Sequence, residues 1–137
     1  MGNATLRVRR AGPRVVAPDD VPVWPFDLAP ARHLTVADGL LEPGASYRPH
    51  AHRTIEQLTY VLAGRVRITS FDEDVGQAQS VELEAGECVA SLPQETIEFA
   101  CVGESPARVL FVTSPPYPAD HSDTIVLREH QSLADEG

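Results

Sequence analysis

Apolar and polar residues alternate along most of this chain in short runs, and Gly, Pro and acidic residues separate the runs. A period of two puts every second side chain on one face, which is the pattern of a strand with one buried side. Strands are expected over residues 34–41, 47–52, 57–62, 65–71, 80–83, 88–92, 96–102 and 107–113. In the run 65–71, Arg65 and Arg67 point outward while Val66 and Ile68 point inward. Turns fall at 42–44, at Gly64, at 85–87 and at 103–106, where Gly and Pro cluster. No amphipathic helix interrupts the series, and only residues 132–136 are expected to form a helical turn. Many short strands with regular turns predict an all-β fold, a single antiparallel β-barrel or jelly roll.

The ends of the chain read differently. Residues 1–33 are rich in Pro and Arg, and proline is confined to sheet edges and loops. This segment is expected to be an extended arm packed across the barrel or onto a partner subunit, with Trp24 and Phe26 as anchors. The barrel is expected over 34–115, and 116–137 is a C-terminal extension. A length of 137 residues fits one domain with one core.

Charge narrows the partners. The formal net charge is −9, so nucleic acid and anionic membrane surfaces are poor partners. All 11 basic residues are Arg, which excludes Schiff-base chemistry and a lysine general base. No apolar run of secretory or transmembrane type is present. The 2 cysteines, Cys88 and Cys101, read as free thiols in a reducing cytoplasm. The acidic loop 72–77 lacks the ligand spacing of a calcium loop and reads as solvated.

The candidate chemistry lies between Gly44 and Gly64. His50 and His52 are two residues apart, so on a strand both imidazoles share one face and make half of a metal site. Glu56, Gln57 and the run Leu58-Thr59-Tyr60-Val61-Leu62 follow, so a returning strand brings an oxygen donor. Arg48 lies two residues before His50 and is expected on the same face, where its planar fork suits an anionic oxygen substrate or a loop carboxylate. Thr59 lies two residues after Gln57 and is expected to line the pocket. His33, His121 and His130 lie outside this stretch; His121 is a candidate lid over the mouth.

The order Gly44, five residues, His50-x-His52, an oxygen donor, then Tyr60-Val61-Leu62-x-Gly64 resembles the first motif of the cupin superfamily. The resemblance implies a small antiparallel β-barrel, one divalent metal ion and a homodimer, with residues 15–26 as a candidate for exchange between subunits. The usual Glu falls at Gln57, and His-x-His, four residues, then Gln is similar to the small pectin-degradation cupins that act on unsaturated uronates. Residues 86–102 resemble the second motif with departures: six residues precede Pro93, and Glu95 and Glu98 stand where Gly and His are usual. The implied metal ligands are His50, His52, Gln57 and Glu98. Glu98 is also a catalytic candidate, together with Arg48; Arg48 and Thr59 are the candidate substrate contacts. A carboxylate inside a barrel is costly unless paired or metal-bound. A register slip of one would expose Glu98 and bury Phe99 instead, with Glu56 as the alternative oxygen donor.

Such a site, holding Zn, Fe, Mn, Ni or Co, would suit Lewis-acid isomerisation, cyclisation or elimination of a small oxygenated, anionic substrate. Two readings stand beside it: an iron-dependent dioxygenase using His50, His52 and Glu98, and a non-catalytic small-molecule-binding cupin.

Overall fold

A computed structural model describes residues 6–72 and 76–126. The expected helical turn at 132–136, His130 and the centre of the acidic loop lie outside the described residues. Among the described residues there are eleven strands: β1 (Val15–Val16), β2 (Pro22–Pro25), β3 (Thr35–Leu41), β4 (His50–His52), β5 (Glu56–Ala63), β6 (Arg65–Asp72), β7 (Gln77–Glu84), β8 (Cys88–Ser91), β9 (Thr96–Cys101), β10 (Ala107–Ser114) and β11 (Thr124–Val126). They form two antiparallel sheets, ordered β1-β2-β3-β10-β5-β8 and β11-β4-β9-β6-β7. This is the expected all-β jelly roll, built as two facing sheets rather than one hydrogen-bonded cylinder.

Alternation sets the core. On β6, Val66 and Ile68 are buried, while Arg65 and Arg67 face outward and reach Glu82 on β7 at 3.1 and 3.5 Å. Val61, Val109, Leu41 and Phe111 close the core from the other sheet. Two glycines permit this packing. Gly64 turns β5 into β6 at φ +85, and a Cβ there would lie 2.8 Å from the Ala107 backbone. A Cβ on Gly39 would sit 2.4 Å from the Phe111 ring, so β3 and β10 approach closely only because that side chain is absent.

The terminal segments are part of the sheets. β2 pairs with β3 of the same chain, with Val23 opposite Gly39 and Trp24 opposite Asp38. Residues 15–25 thus pack across their own fold. The arm's deepest anchor is Val21, which is fully buried, whereas Trp24 and Phe26 are only half-buried. At the other end β11 pairs with β4, placing Thr124 opposite His52 and Val126 opposite His50.

β9 decides the second motif. Ile97, Phe99 and Cys101 are buried, while Thr96, Glu98 and Ala100 are half-buried on the opposite side. Glu98 therefore faces away from the interior, the one-residue slip weighed from the sequence. The physical reason is burial: one face offers two large apolar side chains and a thiol, the other a carboxylate that costs free energy to bury. The turn before β9 fixes this register. Gln94 adopts φ 68, its N–H donates to the His52 carbonyl at 2.6 Å, and Glu95 N–H donates to the Leu92 carbonyl.

Phe99→Ala is expected to lower the unfolding free energy by about 3–4 kcal/mol, the usual cost of a large cavity. Glu98→Ala is expected to cost about 1 kcal/mol or less. Urea titration of both variants checks the face assignment; the reverse ranking contradicts it.

Candidate functional site

β4 is short and sits between β11 and β9, so its two histidines are held from both sides. His50 and His52 are both buried, with ring centroids 5.2 Å apart and planes at 84°. Gln57, buried on β5, lines the same cavity of about 300 Å³. The alternation of β5 buries Gln57, Thr59 and Val61 and exposes Glu56, which removes Glu56 as an oxygen donor.

Each histidine has a buried aspartate behind it, and each aspartate comes from a terminal segment. Asp19, between β1 and β2, places Oδ2 3.3 Å from His50 Nδ1. A carboxylate at that nitrogen draws the ring proton to Nδ1 and leaves Nε2 as the donor atom. Burial pushes the Asp19 carboxyl up, more than the neighbouring His50 imidazole pulls it down. Asp123, just before β11, lies 4.0 Å from His52 Nδ1. Burial would raise Asp123, but bonds from Thr54 Oγ1, Thr54 N and Ile55 N outweigh it and hold the carboxyl below its ordinary value.

His52 is the exceptional group. Both of its ring nitrogens are buried with no hydrogen-bond partner among the described residues. Burial, with the His50 imidazole beside it, pushes its pKa down to about 4; Asp123 and Gln57 pull weakly the other way. An unpaired buried polar group costs about 1–3 kcal/mol, so this ring is shaped for something other than packing. Gln57 complements it. Its Nε2 donates to Thr59 Oγ1 at 3.3 Å, which orients the amide beside His52.

The other expected site residues are placed elsewhere. Thr59 is fully buried and acts on Gln57 rather than lining the cavity. Arg48 lies outside the cavity lining, with Nε 3.6 Å from Asp20. Period-two alternation does not reach it because β4 begins only at His50. Glu98 is not in the lining either; Phe99 occupies that wall, 5.6 Å from the His50 ring. Among the described residues, no three His, Cys, Asp or Glu side chains group to hold a metal. A metal here would use His50, His52 and Gln57, all neutral donors. The unpartnered nitrogens of His52, beside His50 and Gln57 in one cavity, fit that role.

A second polar group faces the same cavity. Tyr117 Oη lies 3.0 Å from His121 Nδ1 and 2.8 Å from Thr124 Oγ1, and the Tyr117 ring stands edge-on to His52 at 5.9 Å. Burial pushes the Tyr117 hydroxyl up, against the Thr124 bond. His121 lines the cavity, whereas His33 is exposed. Cys101 is buried, Cys88 is exposed, and both are free. Asp19, Asp123 and Tyr117 were not singled out by sequence reasoning, and Phe99 only as the residue that a register slip would bury. Signals existed for two of them: an acid between Pro18 and Val21 in an otherwise apolar stretch, and the four-residue spacing of Tyr117 and His121.

The chain belongs to the cupin family: the family's cupin domain matches residues 39–113. It is 27% identical over 93 residues to an uncharacterised protein of Methanocaldococcus jannaschii, covering 68% of each chain. Among solved structures, it is similar to the oxalate decarboxylase of Lactobacillus farciminis, solved as a formate complex, at 20% identity and TM-score 0.70, covering 84% of this chain and 33% of that one. It is also similar to CapF, solved with the inhibitor 3-isopropenyl-tropolone, at 18% identity and TM-score 0.69, covering 85% of this chain and 34% of that one. The chain therefore spans about a third of each of these solved chains, and at these identities the likeness concerns the fold. Among the described residues, no helix is long and apolar enough to cross a membrane.

The depressed pKa of His52 makes a signed prediction for metal-free protein. Between pH 6.5 and about 4 the unfolded chain binds a proton that folded His52 refuses, so stability falls as pH drops through that window. The full effect is on the order of 3 kcal/mol. Asp19, with its raised pKa, acts in the opposite sense, so the readout is a difference at constant Asp19. Thermal melts in chelator should show wild type losing Tm more steeply than His52→Gln between pH 7 and 4.5; parallel curves contradict the assignment.

Proposed function

We propose that this cupin binds one divalent metal ion through His50, His52 and Gln57 and is an enzyme acting on a small oxygenated substrate by isomerisation, cyclisation or elimination. The observation that carries this reading is the buried His52 ring, whose two nitrogens lack partners beside His50 and Gln57. When bound, the metal supplies a positive charge that polarises a carbonyl or stabilises an enolate. Zn, Fe, Mn, Ni and Co all suit a mixed nitrogen and oxygen donor set.

The chain's own residues divide the remaining work. Asp19 holds the His50 proton on Nδ1, and Thr59 holds the Gln57 amide so that Oε1 faces outward from that bond. Burial raises Tyr117 above its ordinary phenol value, so its hydroxyl stays protonated at neutral pH. His121 Nδ1 and Thr124 Oγ1 orient that hydroxyl, and His121 is the group placed to exchange the proton with the mouth. The apolar walls exclude water from a reactive intermediate.

Two alternatives are weakened or sustained by particular residues. The dioxygenase reading used Glu98 as the carboxylate of a two-histidine triad, and Glu98 lies on the outer side of β9. The binding-protein reading draws support from Phe99, an inert ring where a fourth donor was expected. A homodimer and a cytoplasmic setting are further proposals, from the family resemblance and from the free thiols.

Metal content of untagged protein, measured by mass spectrometry after reconstitution and desalting, tests the donor set. One ion per chain is expected in wild type and in Glu98→Ala. Affinity should fall at least about tenfold in His50→Ala, His52→Ala and Gln57→Ala. Failure of the wild type to retain any ion overturns the proposal.

A further inference from the structure

We infer that the ligand of this cavity has an apolar, ring-sized body carrying one pair of adjacent oxygens, and is not a compact polyanion such as a dicarboxylate. This inference rests on the metal reading above and deepens it by naming the substrate class.

Most polar atoms in the cavity are already committed to one another. Thr35 and Thr113 hydroxyls bond to each other, and Tyr117 N–H donates to Thr35 Oγ1 at 3.2 Å. Tyr117, His121 and Thr124 form a second internal set, and Asp19 is engaged with His50 and the Val21 N–H. The groups left without a partner among the described residues are the two His52 nitrogens, which lie beside His50 and Gln57 at one end. The rest of the wall is apolar, with Val21, Val23, Phe26, Val36, Phe99 and Phe111 as its larger members.

Among the described residues no arginine lines the cavity, and Arg48, the cation expected there, lies against Asp20 instead. A second charged group carried beyond the metal would meet a buried carboxylate, Asp19, and apolar walls. Three neutral protein donors leave a divalent ion with its full charge and open positions, which favours one ionised, chelating oxygen pair. A volume of about 300 Å³ is at the small end of organic-ligand pockets and accommodates one ring beyond that head. The polar end thus sets the chemistry of the head group, and the arm, which contributes Val21, Val23 and Phe26, sets the apolar body.

Hydroxamates separate the two ends because the chelating head stays constant while the body changes. Cobalt(II)-loaded protein is titrated with acetohydroxamate, benzohydroxamate and oxalate, following the visible cobalt bands and the heat of binding. Benzohydroxamate is expected to bind at least about tenfold more tightly than acetohydroxamate, because the ring leaves water. It should also bind more tightly than oxalate, and Phe26→Ala should shrink the ratio between the two hydroxamates. Equal hydroxamate affinities on cobalt-loaded protein, or oxalate as the tightest of the three, overturn the inference while leaving the metal site intact. Protein that takes up no cobalt overturns both the inference and the metal reading.

Discussion

Two imidazoles are buried side by side in this molecule, in a cavity whose other polar groups bond among themselves. Desolvating His52 without a hydrogen-bond partner opposes folding, and the surrounding structure is arranged to sustain that cost. β4 is gripped between β11 and β9, the Gln94 N–H ties the second-motif turn to the His52 carbonyl, and Asp123 binds the backbone just beyond the strand. These contacts hold the two imidazoles in place, as the proposed metal site requires.

The terminal segments turn a shared fold into a particular site. The two sheets alone would offer His50, His52 and Gln57 in an open groove. Residues 15–26 add Asp19 behind His50 together with one apolar wall, and residues 117–124 add Tyr117, His121 and Thr124 at another. The family match covers residues 39–113, so both of these contributions come from outside it. Specificity in this molecule is therefore sought in its ends, while metal binding is sought in its centre.

Much of this was legible in the residues. Alternation located the eight strands from β3 to β10, and the exact spacing of His50, His52 and Gln57 brought those three into one cavity, because period two holds along a regular strand. It failed where the strand did. Arg48 precedes β4, so its side chain follows a different course. On β9, one additional residue before Pro93 left two registers open, and the burial of Ile97 and Phe99 selected the one that turns Glu98 outward. β1, β2 and β11 were not readable because proline-rich and short segments carry little periodicity. The local pattern marks an acid in the apolar stretch around Asp19 but not its partner; Asp19 and Asp123 reach the histidines through tertiary contacts.

The most direct test of the account is an anomalous difference map from crystals grown with manganese(II). The account predicts one peak per chain, bonded to His50, His52 and Gln57, with Glu98 remote from it. A peak bonded to Glu98, or full manganese in solution with no peak among those three residues, would contradict it.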